Sequence, residues 1–397
     1  MPFDGHRIHR PAARPLRVAL FSGNYNYTLD GANKALNRLV DHIERVEGFQ
    51  VRVYSPTSPT PAFEPKGELV SAPSVTIPLR SDYRFALGLT PALRRNVEAF
   101  APDIVHLSAP DLLGLGAQKL AHRLGVPVVA SLHTLFETYL DYYSLGWLRP
   151  ALERRLAAFY GGCNVVLAPT QPIADRMEAE GMAGRMRVWA RGVDRELFDP
   201  ARRDTAWRRA QGFADTDTVV VFFGRLVLEK GIAVFAEAMN RVRVQRPDAK
   251  VLVIGDGPAR AWMQERMPYA VFTGSLVDEA LARAVASGDI LLNPSNTETF
   301  GNVTLEAMAS GLAVVGADAI YHHALLDPGR TGLMCPPADA EAYAAAVLTL
   351  VGDPLRRRAM GLAARAASSA YQWSQILSGV AEVYREAMGA RSRPAAA

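Results

Sequence analysis

The sequence alternates short β-branched runs with amphipathic segments along nearly its whole length. A short β-branched run predicts a strand, and a segment in which apolar residues recur three and four positions apart predicts a helix. Strands that alternate with helices are typical of repeated βα units around parallel sheets. The sequence therefore predicts an α/β protein.

The pattern places the predicted elements in two halves of the chain. Strands are predicted at 17–22, 51–55, 103–107, 126–132, 164–169 and 186–190, and then at 218–223, 250–254, 270–273, 289–293, 312–316 and 332–335. The clearest helices are predicted at 31–46, 111–124, 229–244, 276–286, 303–310, 338–351, 354–370 and 373–388.

The segment 191–212 separates the two halves. It is rich in arginine, contains Asp199-Pro200 and lacks apolar periodicity, as expected of an interdomain connection. We predict a domain at 1–195, with residues 1–15 flexible, and a second domain at 196–370. Residues 371–397 would form a helix that crosses back toward the first domain, and a tail. Two doubly wound, Rossmann-like domains would then face each other across a cleft, with the carboxyl ends of their strands toward the ligand.

Composition excludes several classes of protein. Hydrophobic residues make up 49% of the chain and charged residues 21%, which is typical of a globular protein. Cys163 and Cys335 are too few and too far apart for a disulfide framework or a zinc module. The net charge of +4 is spread along the chain, so we predict no nucleic-acid binding. Without an apolar run of about 18 residues or a signal sequence, we expect a cytoplasmic protein.

The first cluster of candidate site residues follows the first predicted strand of the second domain. Gly224 and Arg225 come directly after the strand, and Lys230 is close behind. Both cations would lie near a helix N-terminus, whose free N–H groups favour anions, so the cluster suits a diphosphate. The alternative is a solvated turn in which the two cations pair with Glu229.

A second cluster runs from a strand into a helix over residues 296–306. Gly301 lets the backbone approach a ligand closely, and Asn302 is suited to cap the helix. Glu298 in the loop and Glu306 on the helix would flank one pocket, where they could accept hydrogen bonds from ribose and sugar hydroxyls. The alternative is that these acids only complement the helix dipole.

Further motifs accompany the two clusters. They are Gly255-Asp256-Gly257-Pro258, Phe272-Thr273-Gly274 and Ala307-Met308-Ala309-Ser310-Gly311. In combination, these motifs resemble those of the retaining GT-B glycosyltransferases of family 4, and the resemblance covers nearly the whole chain. Ser131-Leu132-His133-Thr134, with Tyr139 downstream, and the run 188–194 resemble one branch of that family. That branch holds plant sulfoquinovosyldiacylglycerol synthases and bacterial α-mannosyl- and glucuronosyltransferases that act on glycerolipids.

The resemblance implies a GT-B fold, a nucleotide-sugar donor and no metal or other cofactor. Arg225 and Lys230 would hold the donor diphosphate, Glu306 the ribose and Glu298 the transferred sugar. His133 would reach across from the first domain to that sugar. The other residues of the implied donor site supply backbone N–H groups or leave room beside the nucleotide: Phe300, Gly301, Asn302, Val303, Gly224, Gly255 and Gly257.

Cleavage of a sugar–phosphate bond places negative charge on the departing diphosphate, and fixed cations stabilise that charge without a metal. No carboxylate of the first domain stands out as a nucleophile for a double displacement. We therefore expect a front-face reaction in which a leaving phosphate oxygen helps to deprotonate the acceptor. Glu137, Asp141 and Asp30 are the residual candidates for a base, each also interpretable as an ordinary surface acid.

Three other patterns have simpler interpretations. Asp215 and Asp217 have the spacing of the metal-binding acids in the other glycosyltransferase architecture, but they precede their strand and predict a turn. Gly255-x-Gly257 lacks the third glycine of a dinucleotide fingerprint. His322-His323 has no spaced partner and predicts a helix start rather than a metal site.

The acceptor is predicted from surface composition. Residues 79–89 with Arg94-Arg95, and Trp147 with Arg149, Arg154 and Arg155, interleave basic and apolar side chains, as surfaces that bind anionic lipid do. Core packing with solvated arginines is the alternative. Residues 136–143 would line the acceptor pocket or lie in the core. Where the family often has a Gly-Gly pair after the first strand, this chain has residues 27–32 without one. We expect a lipid acceptor at the cytosolic membrane face, with a soluble acceptor or a binding module without turnover as alternatives.

Overall fold

The computed structural model describes residues 14–28, 30–77, 80–134, 146–182 and 184–389. Its strands are β1 Arg17–Phe21, β2 Gln50–Ser55, β3 Glu68–Ser71, β4 Ser74–Ile77, β5 Arg80–Ala86, β6 Ile104–Leu107, β7 Val128–Ser131, β8 Val165–Ala168, β9 Met186–Val188, β10 Thr218–Phe223, β11 Ala249–Ile254, β12 Val271–Gly274, β13 Ile290–Asn293, β14 Ala313–Ala317 and β15 Gly332–Cys335.

The helices are α1 Gly31–Arg45, α2 Pro91–Phe100, α3 Leu112–Leu124, α4 Arg149–Gly161, α5 Gln171–Ala179, α6 Thr205–Ala210, α7 Ile232–Gln245, α8 Arg260–Arg266, α9 Asp278–Ala286, α10 Asn302–Ala309, α11 His322–Leu325, α12 Ala340–Gly352, α13 Pro354–Ala367 and α14 Trp373–Gly389. Single turns of 3₁₀ helix occupy Gly146–Leu148, Pro200–Arg202, Leu228–Lys230 and Ser368–Ala370.

Two sheets carry the fold. The strand order is β3-β2-β1-β6-β7-β8-β9 in the first and β12-β11-β10-β13-β14-β15 in the second. Every strand pair of the second sheet is parallel, as are the pairs around β1 in the first. In both sheets the order reverses beside the first strand, between β1 and β6 and between β10 and β13. Ligands of open α/β sheets bind at the carboxyl ends of the strands at such a reversal.

The sequence of β10, Thr-Val-Val-Val-Phe-Phe, explains its central place. Val220 and Phe222 pack into the core on one face of the second sheet, and Val219, Val221 and Phe223 pack into the core on the other. A strand buried on both faces has a continuous apolar run, which is the pattern of a parallel sheet covered by helices on both sides. The predicted α/β class is confirmed.

Several elements differ from the prediction. The segment 191–212, predicted as an irregular connection, contains α6 and the buried Arg208. That guanidinium donates to the carbonyls of Ser287 (2.5 Å) and Asp217 (2.8 Å), so this arginine ties the segment to residues that precede strands of the second sheet. Helices α2, α4 and α5 lie in segments between predicted strands where the prediction gave no helix limits. Strands β3 to β5 and the short helices α6 and α8 were not predicted.

The chain divides into two compact units. One comprises residues 1–131, 159–166 and 377–397, and the other comprises 132–158 and 167–376. The predicted domain limits at 195 and 370 stay predictions. The predictions for 1–13, for 136–143 with Glu137, Tyr139 and Asp141, and for the tail after 389 lie outside the described residues. Among the helices that are described, none is both long and apolar enough to cross a membrane.

Candidate active site

Two loops at the reversal of the second sheet carry most of the predicted site residues. Residues 224–231 follow β10, and residues 294–301 follow its neighbour β13. Thr297 Oγ1 donates to the carbonyl of Glu229 at 3.2 Å, which ties one loop to the other. Gly231 has φ +70°, and a Cβ there would lie 2.8 Å from the carbonyl oxygen of Pro294, so only glycine permits this close approach.

Lys230 and Glu298 meet across these loops. The Lys230 ammonium donates to Glu298 Oε1 in an ion pair whose side chains are 29% and 21% exposed. Two residues predicted for the diphosphate and the sugar are thus brought together, although 68 positions separate them in sequence. Each is accessible enough to change partner when a ligand enters.

Arg225 lies on the exposed side of the first loop. Within the described ranges its guanidinium forms no ion pair or hydrogen bond. The preceding Gly224 has φ +141°, and its N–H donates to the carbonyl of Ile254 at 3.0 Å. The cation is therefore carried by a loop whose backbone is fixed while its side chain projects into solvent.

The predicted glycines pack the loops against one another. A Cβ on Gly255 would lie 2.0 Å from the carbonyl oxygen of Gly224, and one on Gly257 would lie 2.4 Å from that of Leu226. Backbone hydrogen bonds seal the contact, from Leu226 N to Asp256 O at 2.9 Å and from Gly255 N to Gly274 O at 2.9 Å. The structure thus gives these glycines a packing role, and their contact with a nucleotide stays a prediction.

Two helices begin at this edge of the sheet without a side-chain cap. α7 begins after Gly231, and α10 begins after Gly301, which has φ +87°. Asn302 is the first residue of α10 rather than its cap, which corrects the prediction. Within the described residues neither helix has a side-chain cap, so its first N–H groups can donate to an anion.

The predicted residues around α10 are buried or partly buried. The ring of Phe300 is buried and packs edge-on against Tyr371 at 5.8 Å, so only its backbone can serve a ligand. Val303 lies beside Gly224, where a Cβ would be 3.8 Å from Val303 Cγ2. Glu306 is half-buried within α10.

A buried polar network that the sequence did not reveal supports these loops from behind. The Tyr321 ring lies against Gly301, and its hydroxyl donates to the carbonyl of Ser295 at 2.8 Å. His322 donates from Nδ1 to the carbonyl of Ala317 (2.7 Å) and accepts at Nε2 from Thr304 Oγ1 (2.9 Å). Burial lowers the pKa of His322 to about 4, so the ring is neutral. As predicted, His322-His323 begins a helix.

His133 reaches the same loops within the second compact unit. Thr299 Oγ1 donates to the carbonyl of His133 at 3.2 Å. The imidazole packs edge-on against Trp189, with 5.4 Å between ring centroids, and its Nδ1 accepts from Arg191 Nη2 at 2.8 Å. The sequence pointed to His133 but gave no role to Thr299 or Arg191.

The remaining acids have local partners. Asp30 caps α1 through a bond from Asn33 N to Oδ1 at 2.8 Å, and burial raises its pKa. Asp215 pairs with Arg209, and Asp217 Oδ2 accepts from Ala214 N at 2.7 Å, which confirms the predicted turn. Over the described ranges, no three His, Cys, Asp or Glu side chains gather as metal ligands do.

Comparison with known proteins agrees with this geometry. Residues 29–197 match the family described as "Glycosyltransferase Family 4", and residues 217–353 match "Glycosyl transferases group 1". The sulfoquinovosyl transferase SQD2 of Arabidopsis thaliana is 32% identical over 91% of this chain and 72% of its own length. A GDP-mannose-dependent alpha-mannosyltransferase of Mycolicibacterium smegmatis is 33% identical over 96% of this chain and 100% of its own length. The chain belongs to glycosyltransferase family 4.

A solved structure establishes the fold of this family member. Sucrose-phosphate synthase from Thermosynechococcus elongatus matches 94% of the chain and 100% of its own length, with a TM-score of 0.76 and 21% identity. The two Rossmann-like sheets are those of the GT-B fold, as predicted. The protein is a glycosyltransferase, and the individual site residues stay predictions.

Proposed function

We propose that this glycosyltransferase moves a hexose or hexuronic acid from a nucleotide-diphosphate sugar to a lipid acceptor at the cytosolic membrane face, with retention of anomeric configuration. The observation that carries the proposal is the edge of the second sheet at its reversal. Two cations, a carboxylate and two uncapped helix starts meet there.

The diphosphate is the ligand that this edge suits best. Arg225 and Lys230 supply positive charge, and the starts of α7 and α10 add N–H donors. Because negative charge grows on the diphosphate as the sugar leaves, groups already in place stabilise the transition state more than the ground state. A module that binds only a neutral sugar needs no such clamp.

Ligand binding would break the Lys230–Glu298 ion pair. When phosphate oxygens take the Lys230 ammonium, Glu298 becomes free to accept hydrogen bonds from hydroxyls of the transferred sugar. Glu306 would accept from the ribose hydroxyls, while the loop that Gly255 and Gly257 pack against residues 224–226 would lie beside the nucleotide. The backbone N–H groups of Phe300, Gly301 and Asn302, beside Val303, would complete the donor site.

Retention follows from a front-face reaction. An oxygen of the leaving phosphate would help to deprotonate the acceptor on the same face of the sugar, so no carboxylate nucleophile is needed. His133 would donate a hydrogen bond to the sugar. Asp30, whose pKa burial raises, stays a candidate base.

An exposed apolar patch supports a lipid acceptor. Val75 and Phe85 are cross-strand partners on the β4–β5 hairpin and are 51% and 45% exposed. Leu87 and Leu112, which are 54% and 44% exposed, extend the patch. Leu112 lies beside Gly88, the residue that follows Leu87. Solvated apolar side chains in one patch mark a surface that binds a partner, and insertion into a bilayer would cover them.

The test is transfer to lipid. The purified protein is incubated with the donor that supports turnover and with vesicles of phosphatidylglycerol and diacylglycerol, and the lipid is extracted. We expect a glycosylated lipid whose anomeric configuration by NMR equals that of the donor. Inverted configuration would refute the front-face route, and transfer only to soluble sugars would replace the lipid acceptor with a soluble one.

A further inference from the structure

Arg191 is a buried cation beside the candidate sugar site. Its side chain is only 4% exposed, and its Nη1 donates to the carbonyls of Trp189 (2.9 Å) and Ala190 (3.4 Å). The guanidinium also lies over the Trp189 ring at 4.9 Å. In the part of the chain that the structure describes, no carboxylate pairs with it.

Burial of a cation without a counter-ion costs free energy, so the contacts of the Arg191 guanidinium indicate what the residue does. Burial lowers the pKa of Arg191 to about 10, which leaves it charged at neutral pH. Its carbonyl acceptors are local, from the two preceding residues. The contact that spans the sequence is the one to His133, 58 positions away.

That contact fixes the protonation of the imidazole by elementary chemistry. A guanidinium has only donors, so the nitrogen it faces must offer a lone pair. His133 Nδ1 therefore carries no proton, and the single proton of the neutral ring is on Nε2. Nε2 is then a hydrogen-bond donor of fixed direction.

The rest of the His133 environment fixes its position. Trp189 packs edge-on against the ring, and Thr299 holds the backbone carbonyl at 3.2 Å. Thr299 lies between Glu298, which contacts Lys230, and Phe300, so the imidazole is tied to the loop that carries the candidate donor site. A ring fixed in this way donates without having to be oriented at the moment of reaction.

We propose that Arg191 is a positioning residue for glycosyl transfer, which acts through His133 by holding the imidazole as the Nε2–H tautomer facing the donor sugar. The proposal rests on the proposed function, because it assigns the Nε2–H group to a hydroxyl of the transferred sugar. It adds a specific requirement: a donor-only side chain must stand at position 191.

The first experiment measures the tautomer and needs no substrate. The full chain is labelled with ¹⁵N-histidine, and NMR at pH 7.5 distinguishes protonated from unprotonated ring nitrogens, with His133→Asn used to assign the signal. We expect Nε2 protonated and Nδ1 unprotonated in the wild type, and a mixture of tautomers in Arg191→Met. A proton on Nδ1 in the wild type would overturn the proposal, whether or not the variant folds.

The second experiment measures the coupling between the two residues. We expect Arg191→Met to lower kcat/KM by about tenfold, as loss of one oriented hydrogen bond would. In a His133→Ala background the same substitution should cost less than about twofold, since its target is gone. Affinity for the free nucleotide diphosphate should stay within about twofold, because Arg191 serves the sugar.

Arg195→Met is the matched control. Arg195 lies four residues further along the same segment and donates to the carbonyl of Arg365 at 3.4 Å. Its substitution should leave both the tautomer and kcat/KM unchanged, and thermal melting checks that each variant folds. Additive losses from Arg191→Met and His133→Ala would overturn the proposal. If the wild type turns over no nucleotide sugar, the proposed function fails while the tautomer result still decides what Arg191 does to the ring.

Discussion

Substitution of Lys230 by alanine separates a catalytic role for this residue from a structural one. In the free protein its ammonium pairs with Glu298, and both side chains are partly exposed, at 29% and 21%. Ion pairs with this much access to water contribute about 0 to 1 kcal/mol to the free energy of unfolding. Lys230→Ala should therefore lower the melting temperature by no more than about 3 °C.

The effect on the reaction should be far larger. In the transition state the ammonium would face a diphosphate whose negative charge is increasing. Removal of one preorganised group that stabilises such charge costs about 3 to 4 kcal/mol, which corresponds to a loss in kcat of about 10²- to 10³-fold. Lys230→Arg, which keeps the charge but changes its geometry, should recover only part of that loss.

The assay is nucleotide release at saturating donor, measured beside thermal unfolding. Lys250→Ala is the matched control, because Lys250 lies near the amino end of β11 and donates to the carbonyl of Pro247 at 3.3 Å. It should leave kcat unchanged. A loss of kcat in Lys230→Ala no larger than in Lys250→Ala, or a fall in stability that accounts for the whole loss, would refute the reasoning.

Three further outcomes are expected. Gly255→Ala should lower the free energy of unfolding in urea by about 3 kcal/mol or more, because φ is +141° and the new Cβ would lie 2.0 Å from a carbonyl oxygen; Gly379→Ala, with nothing within 4 Å of its Cβ, should be neutral or stabilising. The buried His322 has its pKa lowered to about 4, so the unfolded chain binds its proton first as the pH falls below about 6.5. The contribution of His322 to the free energy of unfolding is fully present above pH 6.5 and is lost as the pH falls toward 4. Between pH 7 and pH 5 that loss amounts to about 2 kcal/mol, and the free energy of unfolding of His322→Asn should fall by that much less over the same range. Phe85→Ser should reduce the fraction of protein that sediments with anionic vesicles. If the variant sediments as the wild type does, the β4–β5 hairpin is not part of the membrane-binding surface.

The parts of the site that follow strands could be predicted from the sequence. The apolar run of β10 marks a buried parallel strand, and residues after such strands gather at one edge of a sheet. Arg225 and Lys230 after β10, and Glu298 after β13, were found in this way. Their pairing across the loops is a product of the strand order, in which β10 and β13 are neighbours although far apart in sequence.

The parts that depend on long-range side-chain contacts could not be predicted. Arg191 and Arg208 lie in a segment predicted as an irregular connection, and composition does not reveal that each guanidinium is buried against backbone carbonyls. The glycines at 255 and 257 suggested room for a nucleotide, whereas the nearest atoms belong to the neighbouring loop. The β4–β5 hairpin was missed because β4 has only four residues and β5 is interrupted by charged side chains. Of its exposed apolar residues, Phe85 falls within the segment predicted to meet lipid and Val75 lies outside it.

The central claim is that this edge of the second sheet binds and activates a nucleotide-diphosphate sugar. The most direct measurement is release of free nucleotide diphosphate by the wild-type protein across a panel of UDP- and GDP-linked hexoses and hexuronic acids, with and without vesicles that contain diacylglycerol. We predict release from one donor, increased by the vesicles. No release from any donor under either condition would contradict the account.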